Sequence, residues 1–154
     1  MRNHSLILLL VIALAACTGT TPAENAAADT CPVTKSVWST PPEDAAVPGL
    51  PEPGYYFVND DQSIWASAAW TMDEEYQHVR ADGVKVGWFR PEGAELAIAG
   101  RRLNGHAPAL DAHIPCCYPT RFQSSGLFFP TEGCWEVTAK AEDSELSFIV
   151  WIEP

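Results

Sequence analysis

Near the C-terminus, two stretches alternate apolar and polar residues so regularly that they constrain the whole chain. Trp135, Val137, Ala139 and Ala141 interleave with Glu136, Thr138 and Lys140. After a turn at 142–145, Leu146, Phe148, Val150 and Ile152 interleave with Ser147, Ile149 and Trp151. A period of two marks a strand with one buried face, so the two segments should pair as a hairpin, and its apolar face then needs a second layer. Ile149 and Trp151 make the opposite face of the last strand partly apolar, which predicts cover from elsewhere in the chain or from a partner.

Shorter strand-like runs precede this hairpin, each bounded by turn residues. They fall at 55–58 before Asn59-Asp60-Asp61, at 64–70, at 84–89 after Asp82-Gly83, at 95–99 before Asn104-Gly105, and at 127–129 before Pro130. Only 72–80 has a helical look, and it is short, polar and poorly capped. With 13 Pro and 10 Gly as punctuation, the pattern predicts an all-β fold, an immunoglobulin-like antiparallel sandwich of about seven strands over 55–154. The segment 128–137 resembles the Pro and Gly corner by which many such domains enter their penultimate strand, with Trp135 where a Tyr is usual. Strand parity then sends Cys134 to the outer face, away from Trp135 and Val137.

The N-terminus reads differently. Arg2 and His4 precede an apolar run over 6–13, which closes on Leu14-Ala15-Ala16-Cys17. The run is long enough for a signal helix and too short to span ~30 Å of hydrocarbon. Leu-Ala-Ala-Cys resembles the bacterial lipobox, in which the Cys thiol takes a diacylglycerol and cleavage then leaves that Cys first. The expectation is a lipoprotein signal peptide at 1–16, with Cys17 acylated (diacylglycerol and a palmitate-type chain) and held on a membrane outside the cytoplasm. Thr18, in place of an Asp, resembles the outer-membrane sorting pattern if the host has two membranes. Residues 17–30 hold no large apolar side chain and read as a flexible tether; 31–54, with six Pro, reads as an extended strap anchored mainly by Val37 and Trp38.

A formal net charge of −11 argues against nucleic acid as a partner, because phosphate backbones need clustered Lys and Arg and the one adjacent basic pair is Arg101-Arg102. Those two are expected to pair with surface carboxylates. No catalytic motif is present: the chain lacks G-x-S-x-G, H-E-x-x-H, a Gly-rich phosphate loop and S-x-x-K. Asp60-Asp61, Asp73-Glu74-Glu75, Glu142-Asp143 and His78 read as solvated loop polarity, so neither an enzyme nor a cofactor is expected. Six Trp residues suggest binding more than catalysis, and Trp65, Trp70 and Trp151 are the candidates for an exposed protein- or glycan-binding patch. Trp65 and Trp70 differ by an odd number and so fall on opposite faces of a regular strand.

With Cys17 lipidated, Cys31, Cys116, Cys117 and Cys134 remain, and four cysteines allow three pairings. A Cys31–Cys134 bond is the preferred reading, since a strap with few apolar anchors needs a covalent one. That leaves the neighbours Cys116 and Cys117, either as a strained, redox-labile ring or, with His113 and His106, as a soft-metal site.

From Lys85 onward the chain resembles an uncharacterised family of bacterial exported and lipoprotein sequences. The resemblance rests on Trp88-Phe89-Arg90, on 96–103 with Ala107-Pro108-Ala109-Leu110, on 122–127, and on 129–138 with its Gly-Cys-Trp-Glu-Val. Cys31-Pro32-Val33-Thr34, Asn59 and Trp65 match more loosely. It implies a small extracytoplasmic β domain without established activity, and it also favours Cys31 with Cys134. The Cys116-Cys117 pair departs from the family. Together these readings predict a membrane-anchored binding or envelope-structural module, with a metal-binding or thiol-redox protein using Cys116, Cys117 and His113 as the alternative.

Overall fold

The computed structural model describes residues 30–42, 53–71, 79–116 and 118–153. The expected signal peptide, Cys17, nearly all of the tether, Cys117 and 72–78 lie outside the described residues.

The chain folds as the all-β, two-layered arrangement expected. Ten strands are described: β1 (Val37–Ser39), β2 (Gly54–Val58), β3 (Trp65–Ser67), β4 (Val79–Arg80), β5 (Val84–Phe89), β6 (Leu96–Arg102), β7 (Asp111–His113), β8 (Phe122–Phe128), β9 (Gly133–Ala141) and β10 (Ser144–Glu153). One sheet has six strands in the order β1-β2-β3-β5-β8-β7, the other four in the order β4-β10-β9-β6.

Three of these strands, β1, β4 and β7, were not expected, because two or three residues are too few to display a period. The run at 64–70 gives only the three residues of β3 and then a 3-10 turn at Ala69–Thr71. At the other end of the stretch with helical look, Val79 and Arg80 are extended and pair in parallel with Ile152 and Glu153. The available ladder at the end of β10 outweighs a weak local preference.

The expected C-terminal hairpin forms, with Phe148 opposite Val137 and Val150 opposite Trp135; its turn is shorter than the expected 142–145, because β10 already begins at Ser144. Glu142, at its two-residue turn, takes a positive φ of 53°. Its apolar face meets that of the larger sheet across one core: Phe57 of β2 stacks on Phe148 of β10 with centroids 4.2 Å apart, and Trp88 lies 6.2 Å from the same ring. Trp88 and Trp135 have no solvent exposure. Their indole N–H groups donate to Ser125 Oγ and to the Thr131 carbonyl, so two large rings are buried without stranding a donor.

Gly133 is required at the corner before β9. Its φ is 127°, and a Cβ there would lie 2.7 Å from both Arg102 Nε and Asn104 Oδ1. Asn104 fixes this corner by accepting from the Cys134 amide at 3.1 Å and from Arg102 Nε at 3.0 Å. A second turn, at 59–64, is held by side chains. Asn59 Oδ1 accepts from the Ile64 amide, while its Nδ2 reaches the Glu145 carbonyl of the distant hairpin. Asp61 accepts from the Ser63 amide and hydroxyl, which holds its carboxyl below the ordinary Asp value. That contribution is present at neutral pH and is lost as pH falls through the lowered value.

The strap crosses from one sheet to the other. Cys31 is disulfide-bonded to Cys134, which lies opposite Trp151 on the outer face of β9, as parity predicts. Thr34 then satisfies the free edge of β10: its amide donates to the Ile149 carbonyl, and its hydroxyl accepts from the Ile149 amide at 2.8 Å. A few residues on, the same segment becomes β1 and pairs with β2 of the larger sheet. The described part of the expected strap, 31–42, is therefore a seam between the two sheets, bonded beside the half-buried Ile149 and Trp151; 43–52 lie outside the described residues.

Candidate functional site

The outer face of the six-stranded sheet departs from the usual polar exterior. On β5 the outward residues are Lys85, Gly87 and Phe89; on β8 they are Phe122, Ser124, Gly126 and Phe128. The register sets Lys85 opposite Gly126, Gly87 opposite Ser124, and Phe89 opposite Phe122. Small residues in the middle and rings at the ends make a trough. β7 adds His113 beside Gly126, and β2 and β3 add Tyr56 and Ser67.

Two adjoining hollows occupy this trough. One, of about 450 Å³, is lined by Asp82, Lys85, His113, Ser124, Gly126 and Phe128 among others. The other, of about 270 Å³, is lined by Tyr56, Ser67, Gly87, Phe89 and Phe122. Lys85 and Ser124 border both.

Phe128 is the most exposed ring there, 45% accessible. It fits between Gly126 and Gly83, whose lack of side chains leaves its two edges room: a Cβ on Gly126 would come within 3.2 Å of the ring and one on Gly83 within 2.8 Å. Lys85 has no ion-pair partner among the described residues. The ion pairs among the described residues are Arg80 with Asp82 at 3.9 Å, at the rim of the larger hollow, and, away from it, Arg101 with Glu136 at 2.6 Å and Lys140 with Glu145 at 2.8 Å. The far end of the sheet is dry: Tyr56, Trp65 and Phe89 form a second buried cluster, with ring centroids 5.6 and 6.1 Å apart.

One wall of the trough belongs to the loop at 114–121, and buried polar groups hold it down. Gln123 Nε2 donates to the Pro115 carbonyl at 2.7 Å, and the Tyr118 hydroxyl meets Ser124 Oγ at 3.0 Å. Arg90, 3% exposed, donates to the carbonyls of Tyr118 and Pro91. Desolvation pulls its pKa below the ordinary Arg value, yet it remains a cation solvated by carbonyls, with Nε lacking a partner. Arg90→Lys would leave one compact ammonium where a planar fork now spans two carbonyls. The expected outcome is a loss of ~1–3 kcal/mol in urea denaturation, with faster proteolytic cutting at 115–121.

The tryptophan candidates separate. Trp65 is buried at 3% exposure, so it offers no solvent-facing ring; the aromatic cluster on the outer face covers it, and Gln62 O accepts its indole N–H. Trp70 packs against Phe57 on the core side; because the strand ends at Ser67 and Trp70 lies in a 3-10 turn, strand parity does not set its direction. Trp70 and Trp151 are half-buried. The exposed Trp is Trp38.

Of the two arginines, Arg101 pairs with Glu136 as expected, an exposed contact contributing ~0–1 kcal/mol. Arg102 instead bonds Asn104 and Thr131 at the corner, because it ends β6 on the core side. Cys116 is disulfide-bonded, so it presents no thiolate to a metal, and Cys117 lies outside the described residues. Among the described residues no three His, Cys, Asp or Glu side chains are placed to share an ion. His113 is in the trough, and His106 is exposed in the stretch after the Asn104 corner.

Arg90, Gln123, Lys85 and Phe128 were not singled out from sequence. For Arg90 a signal existed: 84, 86, 88 and 90 share one parity, which places it on the core side of β5. Comparison adds no relative, since no family model, no curated protein and no solved structure matches this chain.

Proposed function

We propose that this protein is an exported bacterial lipoprotein, tethered through acylated Cys17 on the outside of a membrane. Its immunoglobulin-like β domain binds a glycan of the cell envelope along the trough. The reading makes it a binding module and not a catalyst. The observation that carries it is the Phe128 ring, 45% accessible in a hollow that it shares with His113, Ser124 and Lys85, which has no ion-pair partner among the described residues. A sugar ring has an apolar C–H face and a polar rim. A rigid aromatic platform bordered by donors and acceptors matches both, and two hollows in series suit more than one sugar unit. Lys85 further suits a carboxylate-bearing sugar, being a cation in a strongly acidic chain with no ion-pair partner among the described residues.

The test is amide chemical-shift mapping with chito-oligosaccharides and uronic-acid oligomers as probes. Shifts are expected at Lys85, His113, Ser124 and Phe128. Phe128→Ala is expected to weaken binding about tenfold, some 1.4 kcal/mol, with little change in stability because the ring is exposed. Shifts confined to other surfaces would refute the reading.

One observation favours the second reading, a thiol-redox protein. Cys116 is exposed and disulfide-bonded on the loop whose Pro115 walls the trough. Thiol counting on the purified domain with and without reductant tests it; a Cys116 disulfide reduced at a potential where Cys31–Cys134 survives would support it.

A further inference from the structure

Among the described residues, the large exposed apolar side chains other than Phe128 lie together in sequence on the strap: Val33 at 48%, Val37 at 50% and Trp38 at 55% accessible. They sit in a structurally fixed segment, between the Cys31 disulfide and the β1–β2 ladder. Trp38 is held edge-on against Tyr55, centroids 4.9 Å apart. In a chain of net charge −11, residues 31–42 carry no acid, and their one charged side chain is the exposed Lys35.

We infer that this strap is a membrane-contact edge: β1 ends its sheet, and Val37 and Trp38 from its two sides, with Val33, reach the interfacial layer of the bilayer that holds Cys17. The inference rests on the lipoprotein reading above. The occupant follows from where the N-terminal segment joins the domain: Cys17 and Cys31 are 14 residues apart, so at ~3.3–3.6 Å per residue the strap lies within ~50 Å of the acylated residue. Every other surface of the sandwich is farther along the chain. Held that close, a weak patch acts at high effective concentration. Its composition fits a lipid interface: aliphatic side chains, a Trp, a Lys for anionic headgroups and no acid to repel them. Acyl chains with a second, weaker contact are the usual route to stable and oriented attachment.

The contact would also orient the trough. β1 is one edge of the six-stranded sheet, and the Phe128 hollow lies four strands away at β8. At ~4.8 Å per strand the hollow stands ~20 Å off the bilayer, open to the envelope.

The experiment uses the full chain, purified from membranes and reconstituted in phosphatidylcholine–phosphatidylglycerol vesicles with brominated acyl chains, alongside Trp38→Phe and Val33→Ser/Val37→Ser. Bromine quenches only tryptophan that reaches the lipid. The wild type is expected to lose the share of fluorescence belonging to one of its six tryptophans; Trp38→Phe should lose almost none, and the double-Ser variant about half the wild-type loss. Trp38→Phe keeps an aromatic ring against Tyr55, and near-UV circular dichroism verifies its fold. A protein that floats with vesicles yet shows equal quenching in wild type and Trp38→Phe overturns the contact while leaving the anchor intact. A protein that does not float at all overturns the anchor and the contact with it.

Discussion

A chain carrying Cys31→Ser and Cys134→Ser is expected to melt roughly 10–20 °C below its parent, given a loss of about 2–5 kcal/mol in a domain of this size. The bond spans a sequence separation of 103, and the chain-entropy relation for such a loop gives about 4–5 kcal/mol, with measured values often smaller. More than entropy is lost. The strap keeps only Thr34's two bonds to Ile149 and the short β1 ladder. Once it lifts, the β10 edge and the half-apolar Ile149 and Trp151 face are uncovered, so the variant should also self-associate on warming. Differential scanning calorimetry with light scattering reads both effects. A melting point within about 3 °C of the parent would mean that the strap is held by its contacts and not by the bond.

Trp135→Ala is the second large effect. The ring is fully buried, meets Phe129 edge-on at 5.5 Å, and donates to the Thr131 carbonyl that precedes its own strand. Truncation leaves a cavity and an unanswered carbonyl, for an expected loss of about 3–5 kcal/mol. Against a typical total of ~5–15 kcal/mol, the domain would be marginal at 37 °C. The midpoint of urea unfolding checks this, and Trp135→Phe should recover part of the loss by refilling the space without restoring the donor.

The C-terminal hairpin was legible because one of its faces is wholly buried, and burial writes itself into sequence as strict alternation. β8 was half-legible. Leu127 and Phe128 announce a strand, but Gln123, Ser124, Ser125 and Gly126 show no apolar alternation to extend it. Their polarity is local bookkeeping of another kind: Gln123 and Ser125 face inward and are matched by Pro115 and Trp88, while Ser124 and Gly126 floor the trough. The Trp88 match comes from 37 residues away, and the Pro115 match from eight residues back, across the loop before β8. Trp65 misled for a related reason, since alternation identifies two faces and cannot tell that the outer one carries its own aromatic cluster. β1, β4 and β7 exist only because a neighbouring edge is available to each. The Cys31–Cys134 bond was legible, both in the strap's poverty of anchors and in the resemblance of its flanking residues. Arg90 was legible in parity alone, since nothing local suggests that a cation beside Pro91 should be buried. The trough itself had no sequence signature, because glycines and serines from separate strands form it only after pairing.

The claim on which anchoring, orientation and access to an envelope glycan all depend is acylation of Cys17. Mass analysis of the N-terminal peptide, from protein extracted out of host membranes with detergent, tests it most directly. The account predicts a peptide that begins at Cys17 and carries a diacylglyceryl group with or without a further amide-linked acyl chain. A soluble product whose N-terminal peptide still begins at Met1, with an unmodified Cys17, would contradict it.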